Sequence, residues 1–275
     1  MEGSVGKRSP GRAHVSPRRP HKRSDLVAEE IKAWIVSRSL GPGDKLPPEK
    51  SLIEAFGVSR GTMREALRAL EVQGLVRLMT GPRGGGLIVE IPEERAMQLL
   101  GGYFYFRTLT IPDIYQVRCT LEPQLAESVV GHLTEDHYVR LEELIRKSSI
   151  RARTPDQRRE QRGAELEFHN VLAEACPNSW LAFVCRFMNR MLRDLIVFKK
   201  LYLPPHKEFA EANLCSHQDL IEAFRQEDRK AVRHIMQKHM DQAARFMTAL
   251  SGSIDRGPLL DVPTHREVKS MSRLG

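Results

Sequence analysis

Three histidines and one glutamate in the second half of the chain have side chains that could bind a metal ion. Glu165 and His169 are four residues apart, so a helix would place both on one side. His217 and His239 each fall within an apolar stripe of a separate helical pattern. Imidazole nitrogens and one carboxylate oxygen that converge inside a helical bundle can hold a divalent ion. The pattern therefore predicts a metal site, although a single histidine on an apolar face is more often a hydrogen-bonded core residue.

A second group of residues has the chemistry needed to bind DNA. Two short apolar patterns joined by Phe56-Gly57-Val58 predict a helix-turn-helix, in which Gly57 closes the first helix and Ser59 caps the second. Arginines and small residues on the outer face of the second helix suit a DNA major groove. The predicted DNA-binding residues of the two helices are Lys50, Ser59, Arg60, Gly61, Thr62, Arg64 and Arg68. An ordinary helical hairpin with a solvated basic face is the alternative.

Flanking segments favour the DNA-binding interpretation. An apolar stripe containing Val27 and Ile31 predicts a preceding helix, and residues 75–78 and 87–90 predict two short strands. The glycine-rich segment between the strands predicts a wing, whose Arg83 and Gly84 would approach a phosphate or the minor groove. Three helices followed by a hairpin constitute a winged helix-turn-helix.

Residues 111–250 show a helical pattern almost without interruption. Successive apolar stripes predict an antiparallel bundle of six or seven helices, with the segment from 178 to about 200 at its centre. The expected fold class is mostly α, with an N-terminal winged helix-turn-helix and a C-terminal all-α bundle. The expected domains are a disordered basic arm (1–23), the DNA-binding domain (24–91), a linker with a lead-in helix (92–110), the helical domain (111–250) and a flexible tail (251–275).

Composition agrees with a cytoplasmic protein that binds a polyanion. The 275 residues carry a net charge of +8, and the basic residues of the N-terminal arm would add salt-sensitive attraction to DNA. The arm can also be a leader without a role. The four cysteines are scattered without metal-ligand spacing, and no apolar run approaches the roughly 20 residues of a membrane span.

Residues 24–90 resemble a known DNA-binding domain, that of the GntR family of bacterial transcription regulators. The motifs that carry the resemblance are Gly43-Asp44-Lys45-Leu46-Pro47, Glu49, Val58-Ser59-Arg60, Arg64-Glu65-Ala66-Leu67-Arg68, Leu70 and Gly74-Leu75-Val76. Pro48 and Lys50 stand where the family usually has serine and arginine, and Gly61-Thr62 replaces a common threonine–proline pair. Because lysine cannot make the planar bidentate contact of arginine, we expect a different operator preference at the base pair that faces Lys50.

Residues 111–250 resemble the all-helical effector domain of the FadR-type branch of that family, the FCD domain. The motifs are Arg118-x-x-Leu121-Glu122, Glu165-x-x-Phe168-His169, Asn178, His217-x-x-Leu220-Ile221, Asp228 and His239. The resemblance implies that an acidic residue and three histidines hold a divalent metal, which helps to hold a small carboxylate. Glu165 stands where the family normally has aspartate, and its extra methylene can alter how it binds the ion. Zinc is the first choice of metal, with nickel or manganese as alternatives.

Arg118 is predicted to bind the carboxylate of this small organic-acid effector through a bidentate contact. Its alternative is an ion pair with Glu122, four residues further along the helix.

The sequence thus predicts a DNA-binding transcriptional regulator, a repressor whose operator affinity responds to the effector, and not an enzyme. One winged domain contacts few base pairs, so a homodimer reading a short palindromic operator in double-stranded DNA is expected. Two alternatives remain open at this stage. The chain could be a metal-dependent enzyme fused to a DNA-binding domain, or a regulator whose metal only holds the bundle together.

Overall fold

The computed structural model describes residues 22–79, 85–105, 107, 109–198 and 206–252. The expectations for the basic arm before residue 22, for Arg83 and Gly84 at the wing tip, and for the tail after residue 252 lie outside the described residues. The chain divides into two compact units, and the boundary falls between Pro92 and Glu93.

The first unit has the expected winged helix-turn-helix. Its elements are α1 (Arg23–Ser37), α2 (Glu49–Phe56), α3 (Arg60–Gln73), β1 (Val76–Met79) and β2 (Gly85–Ile88). The strands pair antiparallel with Val76 opposite Ile88. The turn between α2 and α3 depends on Gly57, whose φ of +62° is a left-handed conformation that side chains disfavour.

The core of this unit lies between α1 and α3. Met63, Ala66 and Leu70 recur on one face of α3 and are fully buried, together with Ile31 of α1. Because this one face is buried, the arginines at intervening positions of α3 must face solvent. The packing of α3 thus determines which side chains are available to DNA.

The described part of the second unit contains seven helices and confirms the expected all-helical fold. They are α4 (Glu93–Tyr105), α5 (Ile111–Ser128), α6 (Glu135–Ser149), α7 (Pro155–Glu174), α8 (Ser179–Phe198), α9 (Lys207–Arg225) and α10 (Arg229–Gly252). Helices α5, α6 and α7 each begin after a threonine whose hydroxyl accepts a hydrogen bond from a backbone N–H of the first turn. These capping threonines are Thr110, Thr134 and Thr154.

The helices of the second unit pack around one apolar core. Helix α10 lies along α5, α7 lies between α6 and α8, and α9 contacts both α6 and α10. Helix α8 contacts α4, α5 and α7, as its apolar residues on more than one face predict. The inward faces of α7, α9 and α10 therefore line the same interior, and the candidate metal ligands lie on these faces.

Candidate functional site

Three buried histidines from three helices meet inside the second unit. His169 lies on α7, His217 on α9 and His239 on α10, and each residue is at most 3% exposed. One ring nitrogen from each lies within 4.8 Å of the others. We call this group the three-histidine cluster. The apolar stripe that holds each helix in the core also holds its histidine inside, so the convergence follows from packing.

Contacts within the three-histidine cluster leave two ring nitrogens unsatisfied. His169 Nε2 is 3.3 Å from His239 Nε2, while the Phe168 ring stacks on His217 with centroids 3.9 Å apart. Among the described residues, His217 Nε2 and His239 Nδ1 are buried without a hydrogen-bond partner. An unpaired buried polar atom costs about 1–3 kcal/mol. The donor set therefore fits a cation that accepts nitrogen lone pairs.

Glu122 of α5 orients one of these rings. Its Oε2 is 3.1 Å from His169 Nδ1, and its Oε1 accepts a hydrogen bond from Arg118 Nε at 3.1 Å. Burial by itself would raise the pKa of Glu122, but interaction with His169 and Arg118 lowers it to about 2. An ionised carboxylate at Nδ1 places the ring proton there, and the Nε2 lone pair is then directed into the cluster.

The other two histidines are held in their neutral form. Burial lowers the pKa of His217 and of His239 well below 6.5, and the positive charge of Arg118 lowers both further. Neutral imidazole is the form that ligates a metal ion. The electrostatic environment thus favours the ligating form at neutral pH.

Glu165 lies outside the three-histidine cluster. In the described chain, the potential metal-ligand atoms that lie within 4.8 Å of one another belong to the three histidines, and the Glu165 carboxylate is not among them. Glu165 Oε2 instead accepts hydrogen bonds from Arg162 Nη1 at 2.7 Å and from Asn213 Nδ2 at 3.3 Å. Arg162 lies one helical turn before Glu165, and a charged donor at that distance competes strongly for the carboxylate.

Arg118 is buried in an ion pair, which is the alternative that the sequence left open. The residue is 1% exposed and forms a salt bridge with Glu122. Its Nη2 atom has no hydrogen-bond partner among the described residues. Together with the three histidines and Glu165, it lines a small internal cavity of about 30 Å³. One guanidinium nitrogen therefore remains available to an anion inside that cavity.

The outer face of α3 carries several of the residues that the sequence assigned to DNA contacts. Arg60, Gly61, Arg64 and Arg68 are exposed, as is Lys50 on α2. Arg64 Nε lies 3.7 Å from Glu49 Oε2 while its side chain stays 65% exposed, so the carboxylate restrains the arginine without covering it. This surface combines exposed cations with a small residue that permits close approach.

Ser59 and Thr62 have a structural role at the start of α3. The Ser59 hydroxyl accepts a hydrogen bond from the Thr62 backbone N–H at 3.2 Å and contacts the Thr62 hydroxyl at 2.9 Å. The Ser59 hydroxyl is therefore engaged in capping the helix, as its position predicts.

A winged helix-turn-helix with a basic outer face, joined to a helical unit with a buried donor cluster, defines a class of DNA-binding regulators. Comparison with protein families supports this: the model of bacterial regulatory proteins of the gntR family matches residues 23–84, and that of the FCD domain matches residues 113–242. The chain belongs to the GntR family and carries an FCD domain.

Similar proteins agree with this assignment. The HTH-type transcriptional repressor NanR of Salmonella arizonae is 27% identical over 246 residues, covering 84% of this chain and 88% of that protein. NanR of Salmonella typhimurium is also 27% identical, over 241 residues that cover 83% of this chain and 86% of the relative. The fold is similar to that of Streptococcus agalactiae GntR, with a TM-score of 0.58 and 24% identity, covering 81% of this chain and 99% of the other.

The protein is a DNA-binding transcriptional regulator. Its relatives are regulators and not enzymes, which confirms the expectation that the chain is not an enzyme. Across the described ranges, no helix combines the length and apolarity needed to cross a membrane.

Sequence reasoning missed three polar residues around the three-histidine cluster. Glu122 was considered as an ion-pair partner and not as the residue that orients His169. Arg162 and Asn213, which hold Glu165, were not singled out. Asn213 was within reach of the sequence, because it precedes His217 by four residues and so shares its helical face.

Proposed function

We propose that this regulator is a repressor whose operator affinity responds to a small carboxylate effector bound near a metal ion in the helical unit. The observation that carries the proposal is the three-histidine cluster, which has two unpartnered ring nitrogens and lines an internal cavity. The three-histidine cluster does not stabilise the fold by itself, because hydrophobic residues of the same volume would avoid the cost of its unpaired atoms.

The residues that would hold the metal are His169, His217 and His239, and Glu165 is the candidate for a fourth ligand. Zinc fits mixed imidazole and carboxylate donors, and nickel or manganese are the alternatives. A bound divalent ion would supply a positive charge that attracts a carboxylate group. Arg118 supports the same role, because it lines the small cavity and its buried Nη2 has no hydrogen-bond partner in the described chain.

The DNA-binding half of the proposal rests on the exposed residues of α2 and α3. We assign base and phosphate contacts to Lys50, Arg60, Gly61, Arg64 and Arg68, with Ser59 and Thr62 holding the start of the helix. A homodimer on a short pseudo-palindrome would double this small contact area. The relatives are named transcriptional repressors, which supports repression over activation.

Effector response would then follow from a difference in affinity between two arrangements of the protein. An effector that binds one arrangement better shifts the population toward it, and operator affinity changes by the coupling free energy. If the metal only holds the bundle together, its loss would change stability and leave the response intact. The two roles can thus be separated by experiment.

The test is elemental analysis of the protein purified without added metal or chelator. We expect the wild type to contain about one divalent ion per chain by the ligand count of such sites, and a His217→Ala, His239→Ala variant to contain none. That variant should still bind an operator fragment, because the first unit has its own core. A His132→Ala, His234→Ala variant, which changes two exposed histidines, is the matched control and should retain the metal.

Equal metal content in the wild type and the His217, His239 variant would refute the metal site. A lost metal together with an unchanged effector response would leave the ion only a structural role.

A further inference from the structure

A second, larger cavity adjoins the three-histidine cluster. It has a volume of about 350 Å³ and lies between the end of α6, the first half of α7 and the start of α9. We call it the basic chamber because its polar wall is rich in cations. The charged and titratable residues of the wall are Arg151, Arg158, Arg162, Glu165, His206, Lys207 and Glu211.

The basic chamber has an excess of positive charge. Four cations and two carboxylates line its wall, which gives an excess of two positive charges. Burial lowers the pKa of His206, and the charge of Arg162 lowers it further, so this ring adds no positive charge at neutral pH. A chamber with this charge balance attracts a dianion.

The four cations of the chamber differ in their ion pairs. Arg162 pairs with Glu165 at 2.7 Å and Lys207 with Glu211 at 3.5 Å. In contrast, the salt bridges of the described chain include neither Arg151 nor Arg158.

Two buried atoms of the chamber wall also have unused hydrogen-bonding capacity. Arg158 Nε and His206 Nε2 are buried without a hydrogen-bond partner in the described part of the chain. A buried guanidinium nitrogen without a partner is costly, and an anionic oxygen would satisfy it with a charge-assisted hydrogen bond. Arg158 thus has the properties of an anion ligand.

Size separates the roles of the two cavities. The cavity beside the three-histidine cluster, at about 30 Å³, admits an ion or a water molecule. The basic chamber falls within the range of roughly 300–1,000 Å³ that small-molecule sites occupy. Arg162 and Glu165 line both cavities, so a ligand in the chamber lies directly against the wall of the metal site.

The chamber also offers contacts for a carbon skeleton. Ile150, Ala152, Ala210 and Leu214 contribute apolar surface to its wall. The Arg162 guanidinium lies over the Phe209 ring at 4.6 Å, which restrains the shared cation in position. Apolar walls with a few fixed polar groups are typical of sites for small organic molecules.

We infer that the basic chamber is the effector site and that its ligand is a small organic dianion, either a dicarboxylate or a phosphate monoester. The inference rests on the proposed function. The ligand's anionic oxygens contact Arg162, at the wall shared with the metal site, and also Arg158 and Arg151. A monocarboxylate would leave one of the two excess charges of the chamber unpaired, so dianions bind more tightly.

The test is calorimetric titration of the full-length protein with glutarate, a dicarboxylate, and with glycerol 3-phosphate, with glycerol as the neutral control. We expect one of the two dianions to bind once per chain and glycerol not to bind. Arg158→Gln and Arg151→Gln should each weaken this binding about tenfold or more, the equivalent of one charge-assisted hydrogen bond. The matched control is Arg159→Gln, which removes an exposed charge from the adjacent position of α7 and should leave binding unchanged.

The two dianions distinguish carboxylate from phosphate recognition. The inference is wrong if neither dianion binds, or if Arg159→Gln weakens binding as much as Arg158→Gln. It is also wrong if the His217→Ala, His239→Ala variant abolishes binding while Arg158→Gln does not, since the ligand would then use the metal site alone. Metal content and operator binding of Arg158→Gln should equal those of the wild type. A result that excludes the chamber as the effector site would therefore not contradict the proposed function.

Discussion

At the scale of single residues, two functional side chains each lie beside a carboxylate. Glu49 pairs with Arg64 on the outer face of α3, and Glu122 contacts His169 in the interior. In both cases the carboxylate contacts one edge of the functional group and leaves its other atoms free to bind. These carboxylates are positioning residues, and their effect must be tested through the groups that they hold.

Arg64→Ala should weaken operator binding by about 1–3 kcal/mol and relax the preference at one base pair, if the guanidinium reads a guanine in the major groove. Fluorescence anisotropy with a palindromic fragment from the protein's own promoter region measures this. Arg159→Ala removes the same charge from the helical unit and is the control for general electrostatics. An Arg64→Ala protein that binds the fragment as tightly as the wild type would remove this residue from the DNA contacts.

At the scale of elements, the helix-turn-helix shows how local signals determine a functional surface. Gly57 ends α2 in a left-handed conformation, and Ser59 caps α3 two residues later. The direction of α3, and therefore of its arginines, depends on this short turn. A substitution in the turn can change DNA binding through the helix as well as through a direct contact.

Ser59→Ala should destabilise the first unit by about 1 kcal/mol, because the Thr62 N–H loses its acceptor. Ser59→Asp retains an acceptor at the cap and should keep stability, but its negative charge should weaken binding to DNA phosphate. Chemical denaturation and DNA titration of both variants separate the two effects. Full stability in Ser59→Ala would show that the cap contributes nothing here.

The buried faces of the helices could be predicted from the spacing of their apolar residues. The stripe of Met63, Ala66 and Leu70 predicted the buried face of α3, and the apolar positions around His169, His217 and His239 predicted that these rings face inward. The contacts of Glu165 were not predictable, because Arg162 and Asn213 compete for the carboxylate and this competition depends on three-dimensional distances. The basic chamber was also not predicted, since its cations come from three separate segments.

At the scale of the whole molecule, the three-histidine cluster links protonation to stability. His217 and His239 have pKa values well below 6.5 when folded, because burial penalises the charged ring. The unfolded chain therefore binds protons more readily than the folded chain below about pH 6.5. Stability contributed by these neutral rings is present above that pH and is lost as the pH falls. The low pKa of Glu122 acts in the same direction at lower pH.

The metal-free protein should accordingly be less stable at pH 5.5 than at pH 7.5, by about 1 kcal/mol for each of the two histidines. Urea denaturation followed by circular dichroism at both pH values measures the change. His217→Ala should reduce the pH dependence, while His132→Ala, at an exposed position, should retain it. Equal or greater stability at pH 5.5 would contradict the assignment of neutral buried rings.

The buried chain of Arg118, Glu122 and His169 has a consequence for how the sequence can change. Glu122 contacts both partners at 3.1 Å, so replacing it alone leaves an arginine charge inside the core without compensation. Removal of one member of a buried ion pair typically costs about 3–5 kcal/mol, whereas joint replacement of all members can be neutral. The three positions are therefore epistatic: descendants of this protein are expected to keep all three residues or to lose them together, because each single step passes through an unstable intermediate.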